Sequence, residues 1–307
     1  MHEPVMLTEV LDYLGLQALL NTQANIKVID ATVGGGGYTL ALCKLGADIL
    51  GIDQDKSMLE IARNRLETAC LRRQACPPTN YNVCGSFSLV QGNFSDIEVI
   101  SQKHNFTDVD AIVFDLGVAS QQLISPTRGL SFQFPDAPLD MRLNSDTGVK
   151  AADLLNALDK RNLTKMFERT CDYSQSRKLA QRVLKHRAEK PFVTVADFLN
   201  ITKGLFKPGK IHPATKPLLA LRIAVNSELE NLDEGLTKGI RLLNRSGVMV
   251  VVSFHSLEDA IVKNSFKEFE SKGLGKVLTD KPVTPSVAEI NKNNRARSAK
   301  LRAFRKI

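Results

Sequence analysis

Apolar positions in the first 115 residues switch between two periods. Met6, Leu7, Val10, Leu11 and Leu14 recur at helical spacing. Short apolar runs follow at 26–29, 47–52 and 110–114, each bounded by polar residues as buried parallel strands are. A further strand is expected at 88–92. Between the runs, 39–45 and 56–68 read as helices, the second with Met58, Leu59, Ala62 and Leu66 on one face. The polar stretch 70–87 reads as a surface loop. This alternation predicts a parallel sheet covered by helices on both faces.

The rhythm changes after Gly117. Residues 151–157, 162–167, 176–188 and 195–205 carry helical periodicity with no clear strand between them. A long helix is expected at 215–244, then a buried strand at 247–253, a helix at 258–272 and a last edge strand at 300–305. The expected fold is therefore α/β, Rossmann-like, with a mostly parallel sheet and an inserted helical domain. Residues 1–122 form the first part of the core, 123–214 the insertion and 215–307 the second part. An insertion after the fourth strand sits where such sheets bind their ligands, at the strand carboxyl ends.

Composition narrows the class. No apolar run approaches the roughly 18 to 20 residues that a membrane span needs, and no signal or transit peptide is visible. Cys43, Cys70, Cys76, Cys84 and Cys171 match no zinc spacing, and their odd number argues against a full disulfide framework. A reducing compartment is expected. The net charge of +8 favours a polyanionic partner. Basic residues cluster at Arg177, Lys178, Arg182, Lys185, His186, Arg187 and Lys190, then at Lys203, Lys207, Lys210, His212 and Lys216. A third cluster runs from Arg295 to Lys306. Clustering on this scale is the footprint of a nucleic-acid binder.

Candidate chemistry begins at Asp30-Ala-Thr-Val-Gly34-Gly-Gly-Gly37-Tyr38-Thr39, where a strand runs into a glycine loop and a helix. Asp53 closes the next strand, placed to take both hydroxyls of a ribose. No Lys-Ser/Thr follows the glycines, which excludes a phosphate-cradling P-loop. Thr39 stands where a dinucleotide fingerprint has its third glycine, which disfavours a nicotinamide oxidoreductase. A nucleoside ligand without pyrophosphate, such as S-adenosylmethionine, fits better. Phe94 can lie against an adenine, and Asp115 sits where the reacting groups of two substrates would meet. No metal cluster is apparent, and none is needed for methyl transfer.

The strings Asp115-Leu-Gly-Val-Ala-Ser-Gln-Gln122, Arg128-Gly-Leu-Ser-Phe132, Pro138-Leu-Asp140-Met-Arg142, His212-Pro-Ala-Thr-Lys216, Arg222-Ile-Ala-Val-Asn226 and Ser253-Phe-His255-Ser-Leu-Glu258-Asp259 follow in order. Together they resemble the MraW (RsmH) family of S-adenosylmethionine-dependent methyltransferases, across essentially the whole chain. The resemblance implies methylation of N4 of a cytidine in the decoding region of small-subunit (16S) ribosomal RNA, by a monomer or homodimer. It places cofactor contacts at Gly36, Gly37, Tyr38, Asp53, Phe94, Asp115 and Gln122; Tyr38 and Gln122 rest on it alone. Asp115 is the first candidate to accept hydrogens of the amine, followed by Asp140, Asn226 and His255. Two alternatives stay open: His255 as a general base or a structural donor, and Asp140 as an acceptor or the partner of Arg142. Tyr38, Ala137, Leu219, Ala260 and the string Thr170-Cys-Asp-Tyr173 depart from the family pattern. They motivate the rival reading, a catalytically weak or inactive ribosome assembly factor with a methyltransferase fold.

Overall fold

The computed structural model describes residues 4–15, 26–74, 85–146, 148–206 and 212–307, without the side chains of 70–74. They form two compact units, 1–117 with 229–307 and 118–228.

The first unit is built on one sheet. Its strands are β1 Lys27–Asp30, β2 Asp48–Asp53, β3 Phe87–Gln91, β4 Val109–Asp115, β5 Leu243–Ser253, β6 Gly275–Val277 and β7 Lys300–Lys306. Their order is β3-β2-β1-β4-β5-β7-β6. β1 to β5 are parallel, and β7 runs antiparallel between β5 and β6. This is a Rossmann-like, mostly parallel α/β sheet. Side chains alternate across the sheet. Val28, Ile49, Val113, Val250 and Leu301 join one buried cluster with Val10 and Leu14 of α1 (Leu7–Leu14) and Leu42 of α2 (Gly37–Lys44). Their neighbours Ile29, Leu50, Ile112, Phe114 and Val251 join another, with Leu232, Leu236 and Ile240 of one helix and Val262 and Phe266 of the next. Burial on both faces is why these strands read as continuous apolar runs.

Between β2 and β4 run α3 (Lys56–Gln74) and α4 (Ile97–Lys103). α3 is six residues longer than its periodicity suggests, so the expected loop at 70–87 begins as helix. The rest of that loop, 75–84, lies outside the described residues.

The second unit packs α5 (Ser120–Leu123), α6 (Ala151–Ala157), α7 (Lys160–Glu168), α8 (Tyr173–Glu189), α9 (Val195–Thr202) and α10 (Thr215–Asn226). Its own core includes Leu139, Leu155, Phe167, Leu179, Val183 and Phe198. Two sequence expectations need correction. The long helix at 215–244 is two helices, α10 and α11 (Glu228–Leu242), broken at Ser227, whose φ of 48° is left-handed. The second unit runs from Val118 to Glu228, and Leu218, Ala220 and Leu221 of α10 pack into its core. After β5 and α12 (Ser256–Ser271), β7 pairs on both sides; the edge of the sheet is β6. A short α13 (Val287–Lys292) precedes β7. No helix among the described residues is long and apolar enough to cross a membrane.

Charge divides unequally. Residues 118–228 hold 18 of the 41 basic and 10 of the 33 acidic residues, so the whole net charge of +8 falls in the second unit.

Candidate functional site

Strand register sets the acids of the first unit in place. Asp30 pairs with Gly51 of β2 and Val113 of β4. Asp53 and Asp115 each lie two residues further along, so they flank the chain as it leaves β1. Their backbones are about two strand spacings apart, roughly 9.5 Å.

The glycine loop rises between these two acids and is held from several directions. Gly34 N–H donates to Asp53 Oδ2 at 2.7 Å, and Asp55 N–H donates to Asp53 Oδ1 at 2.8 Å. Arg65 of α3 donates to the Gly35 carbonyl at 3.1 Å. Gly36 has a φ of 73°, and a Cβ there would meet Ala62 at 3.0 Å. A Cβ on Gly37 would come within 2.6 Å of the Pro4 ring. The glycines are therefore required by how the loop seats on α3 and on the amino-terminal segment. The next residue, Tyr38, is 3% exposed, and its hydroxyl donates to the Val5 carbonyl. Its side chain ties α2 to the chain ahead of α1, where the resemblance implied a cofactor contact.

Asp30 is fully buried; it accepts Thr39 Oγ1–H at 2.6 Å and Thr32 N–H at 3.3 Å. Thr39, where a dinucleotide binder has glycine, thus serves Asp30. Asp115 N–H donates to Thr32 Oγ1 at 2.6 Å, but its carboxylate Oδ1 is buried with no hydrogen-bond partner. Burial pushes Asp30 and Asp53 up to about 6. It pushes Asp115 well above the usual carboxylate range, with repulsion from Asp30 and Glu258 adding to it. A buried, unpartnered acceptor inside a cluster of mutually repelling acids fits a cationic ligand with donors to offer. A sulfonium beside an amino acid's ammonium group meets that description.

Linkage gives this cluster a sign. A carboxyl raised in the folded state contributes stability below its unfolded value, near 3.8, and loses it as pH rises through about 6. For Asp30 the loss is on the order of 2 to 3 kcal/mol. The ligand-free protein is therefore expected to melt at a lower temperature at pH 7.5 than at pH 5, two values that lie on either side of about 6. Asp30→Asn should flatten that fall, because an amide can still accept from Thr32 and donate to Thr39. Equal pH slopes for variant and wild type, by thermal denaturation, would contradict the burial account.

Two further residues named from the sequence belong to the same unit. Phe94 is half-buried and packs edge-on to Phe114, with ring centroids 5.7 Å apart. A Cβ on Gly235 of α11 would sit 2.8 Å from that ring, so Phe94 is wedged against the core. His255 caps α12: its Nδ1 accepts Glu258 N–H at 3.3 Å, and its Nε2 lies 3.1 Å from Glu258 Oε1. Glu258 Oε2 in turn accepts the N–H groups of Phe254 and His255. These contacts cap α12, and His255 Nε2 is left buried without a hydrogen bond.

Gln122, Asp140 and Asn226 belong to the second unit. Gln122 Oε1 accepts Ala119 N–H at 2.8 Å and closes α5. Asp140 holds Arg142 in a two-point pair at 2.7 and 2.9 Å, which keeps its carboxyl below the usual range against the opposing effect of burial. Asn226 accepts Leu143 N–H and donates to the Met141 and Arg222 carbonyls. These contacts make Asp140 and Asn226 the fastening of the 138–143 loop to α10. Ala137 sits in the core of this unit and avoids the left-handed region, so glycine is not required there.

The basic clusters also resolve. Arg182 donates to the carbonyls of Ile201 and Lys203 at the end of α9, and Arg187 to those of Leu155 and Leu158 at the end of α6. In the tail, Lys300 and Arg302 pair with Asp259, and Lys306 donates to the carbonyls of Arg241 and Leu243. Lys207 and Lys210 lie outside the described residues.

Nothing in the sequence marks Thr32 or Arg65, and Thr39 is marked only by standing where a dinucleotide binder has glycine. Their side chains act on backbone or on Asp30.

Comparison with known proteins agrees with the sequence resemblance. The model of the MraW methylase family matches residues 1–307. The ribosomal RNA small subunit methyltransferase H of Dictyoglomus thermophilum is 38% identical over 304 residues, covering 98% of this chain and 95% of its own. The protein of the same name from Persephonella marina is 38% identical over 315 residues, covering 100% and 99%. That from Methylacidiphilum infernorum is also 38% identical, covering 100% and 94%. With the whole chain matched and the glycine loop, Asp53 and Asp115 carried on the expected strands, the chain belongs to the MraW methylase family.

Proposed function

We propose that the protein transfers a methyl group from S-adenosylmethionine to N4 of a cytidine in the decoding region of small-subunit ribosomal RNA. Family membership supports methyl transfer, and the names of the relatives support the RNA. The observation that carries the chemistry is the buried, unpartnered Oδ1 of Asp115 at the end of β4.

S-Adenosylmethionine supplies an electrophilic methyl on a sulfonium. Asp53 and the loop it holds would bind its nucleoside end, with Gly36 and Gly37 shaping the loop. The exocyclic amine of cytosine is a poor nucleophile, because its lone pair is shared with the ring. It must be held about 3 to 3.5 Å from the carbon it attacks. Asp115 would accept one amine hydrogen and take the proton released when the nitrogen gains the methyl. A cationic ligand held beside the acids would favour their ionised forms, leaving Asp115 able to take that proton. A cytosine must leave its stack, or already be unpaired, to reach such a site. The second unit would hold the RNA, since it carries all of the net positive charge. Ribosome assembly would then set the location, in a bacterial cytoplasm or a mitochondrial matrix.

The test is transfer of an isotope-labelled methyl group from the cofactor into purified small ribosomal subunits. Label in the RNA, recovered in cytidine, is the expected result. Binding of cofactor and subunits without transfer would establish the assembly-factor reading instead.

A further inference from the structure

The basic surface of the second unit contains an open hollow of about 430 Å³ between α7 and α8. It is lined by Lys160, Gln181, Arg182, Leu184 and Lys185, three cations and no acid. Lys160 is the first residue of α7, and its Nζ donates to Gln181 Oε1 at 3.1 Å, so both side chains are set at the rim. Arg182 is held rigid by two carbonyls at the end of α9, at 2.8 and 2.7 Å, and brings its charge to the wall. Lys185 lies one helical turn beyond Gln181 and is exposed. The nearest acid in sequence, Asp159, caps α7 by accepting Asn162 N–H at 2.7 Å. Arg177 and Lys178 continue the exposed side of α8 back toward Tyr173, which is 62% exposed.

A fixed arginine, two lysines and an amide around one concavity match a phosphodiester, whose oxygens accept from all four. Ion pairs internal to the protein do not account for this charge. Asp140, Asp259 and Glu228 have basic partners elsewhere, and the net charge of residues 118–228 is uncompensated. We propose that this hollow seats backbone phosphates of the RNA substrate. The proposal rests on the RNA-methylating reading above and adds which side chains grip the backbone. Arg187, despite its place in the same basic run, is not among the residues that line the hollow.

The test is fluorescence anisotropy of the full chain with a labelled small-subunit ribosomal RNA fragment, from about 50 to 200 mM salt. Lys160→Gln/Lys185→Gln is compared with Lys263→Gln/Lys267→Gln, which removes the same charge from the exposed side of α12. Calorimetric cofactor affinity, unchanged in both, verifies the fold. The first pair is expected to weaken binding about tenfold at low salt. It should make the slope of log K against log salt shallower by about 1.5, as for two lost phosphate contacts. The α12 pair is expected to leave the slope as in wild type. Equal slopes for the two pairs, or no change in the first, would overturn the seat while leaving the RNA reading intact. Wild-type protein that binds the fragment with no salt dependence would overturn both.

Discussion

Asp115→Asn is expected to lower the rate of methyl transfer by about 10² to 10⁴, the range for losing a positioned proton acceptor. The amide keeps the size of the side chain, and its backbone N–H can still donate to Thr32. Stability should move the other way. Asp115 is raised by burial and by repulsion from Asp30 and Glu258. Its ionisation therefore costs the ligand-free protein stability as pH rises through the folded value. The variant escapes that cost, so it should melt at or above the wild-type temperature at pH 8, with no such gain at pH 4. Lost transfer with retained melting temperature and RNA affinity would place Asp115 at the reacting atoms. Full activity in the variant would remove it from the chemistry.

Asp53→Ala is expected to weaken S-adenosylmethionine at least tenfold, about 1.4 kcal/mol. The carboxylate accepts Gly34 N–H and Asp55 N–H, so its loss leaves two donors without a partner and releases the glycine loop from β2. Bonds to a charged acceptor contribute about 1.5 to 3 kcal/mol each. Asp53→Asn, which retains one acceptor oxygen, should lose less. Circular dichroism should show the sheet intact in both, since the affected backbone lies beyond the strand ends. Unchanged affinity by calorimetry would take Asp53, and the loop it holds, out of the cofactor site.

The strands were legible because a parallel sheet buried on both faces leaves unmistakable apolar runs, as at Ala111–Val113 and Val248–Val252. Asp53 and Asp115 were legible for the same reason: they end those runs. What depends on distant contacts was not. Ser227 turns left-handed where nothing in the apolar period of 215–244 marks a break. Tyr38 gave no sign that its hydroxyl reaches the carbonyl of Val5, thirty-three residues back. In sequence Arg182 and Arg187 look like Arg177 and Lys185. Only the fold brings them to carbonyls at the ends of α9 and α6. Likewise Asp140 and Asn226 stand in motif strings that suggest chemistry, but their polar atoms fasten a loop. A motif marks residues under joint constraint; whether the constraint is reaction or architecture depends on which atoms their polar groups meet.

The central claim is methyl transfer to N4, and mass spectrometry of the nucleosides from treated small ribosomal subunits tests it most directly. The account predicts N4-methylcytidine, formed by wild type and lost with Asp115→Asn. Methylation at carbon 5 would contradict it. That reaction calls for a cysteine nucleophile, and the described free cysteines, Cys43 and Cys171, are both buried.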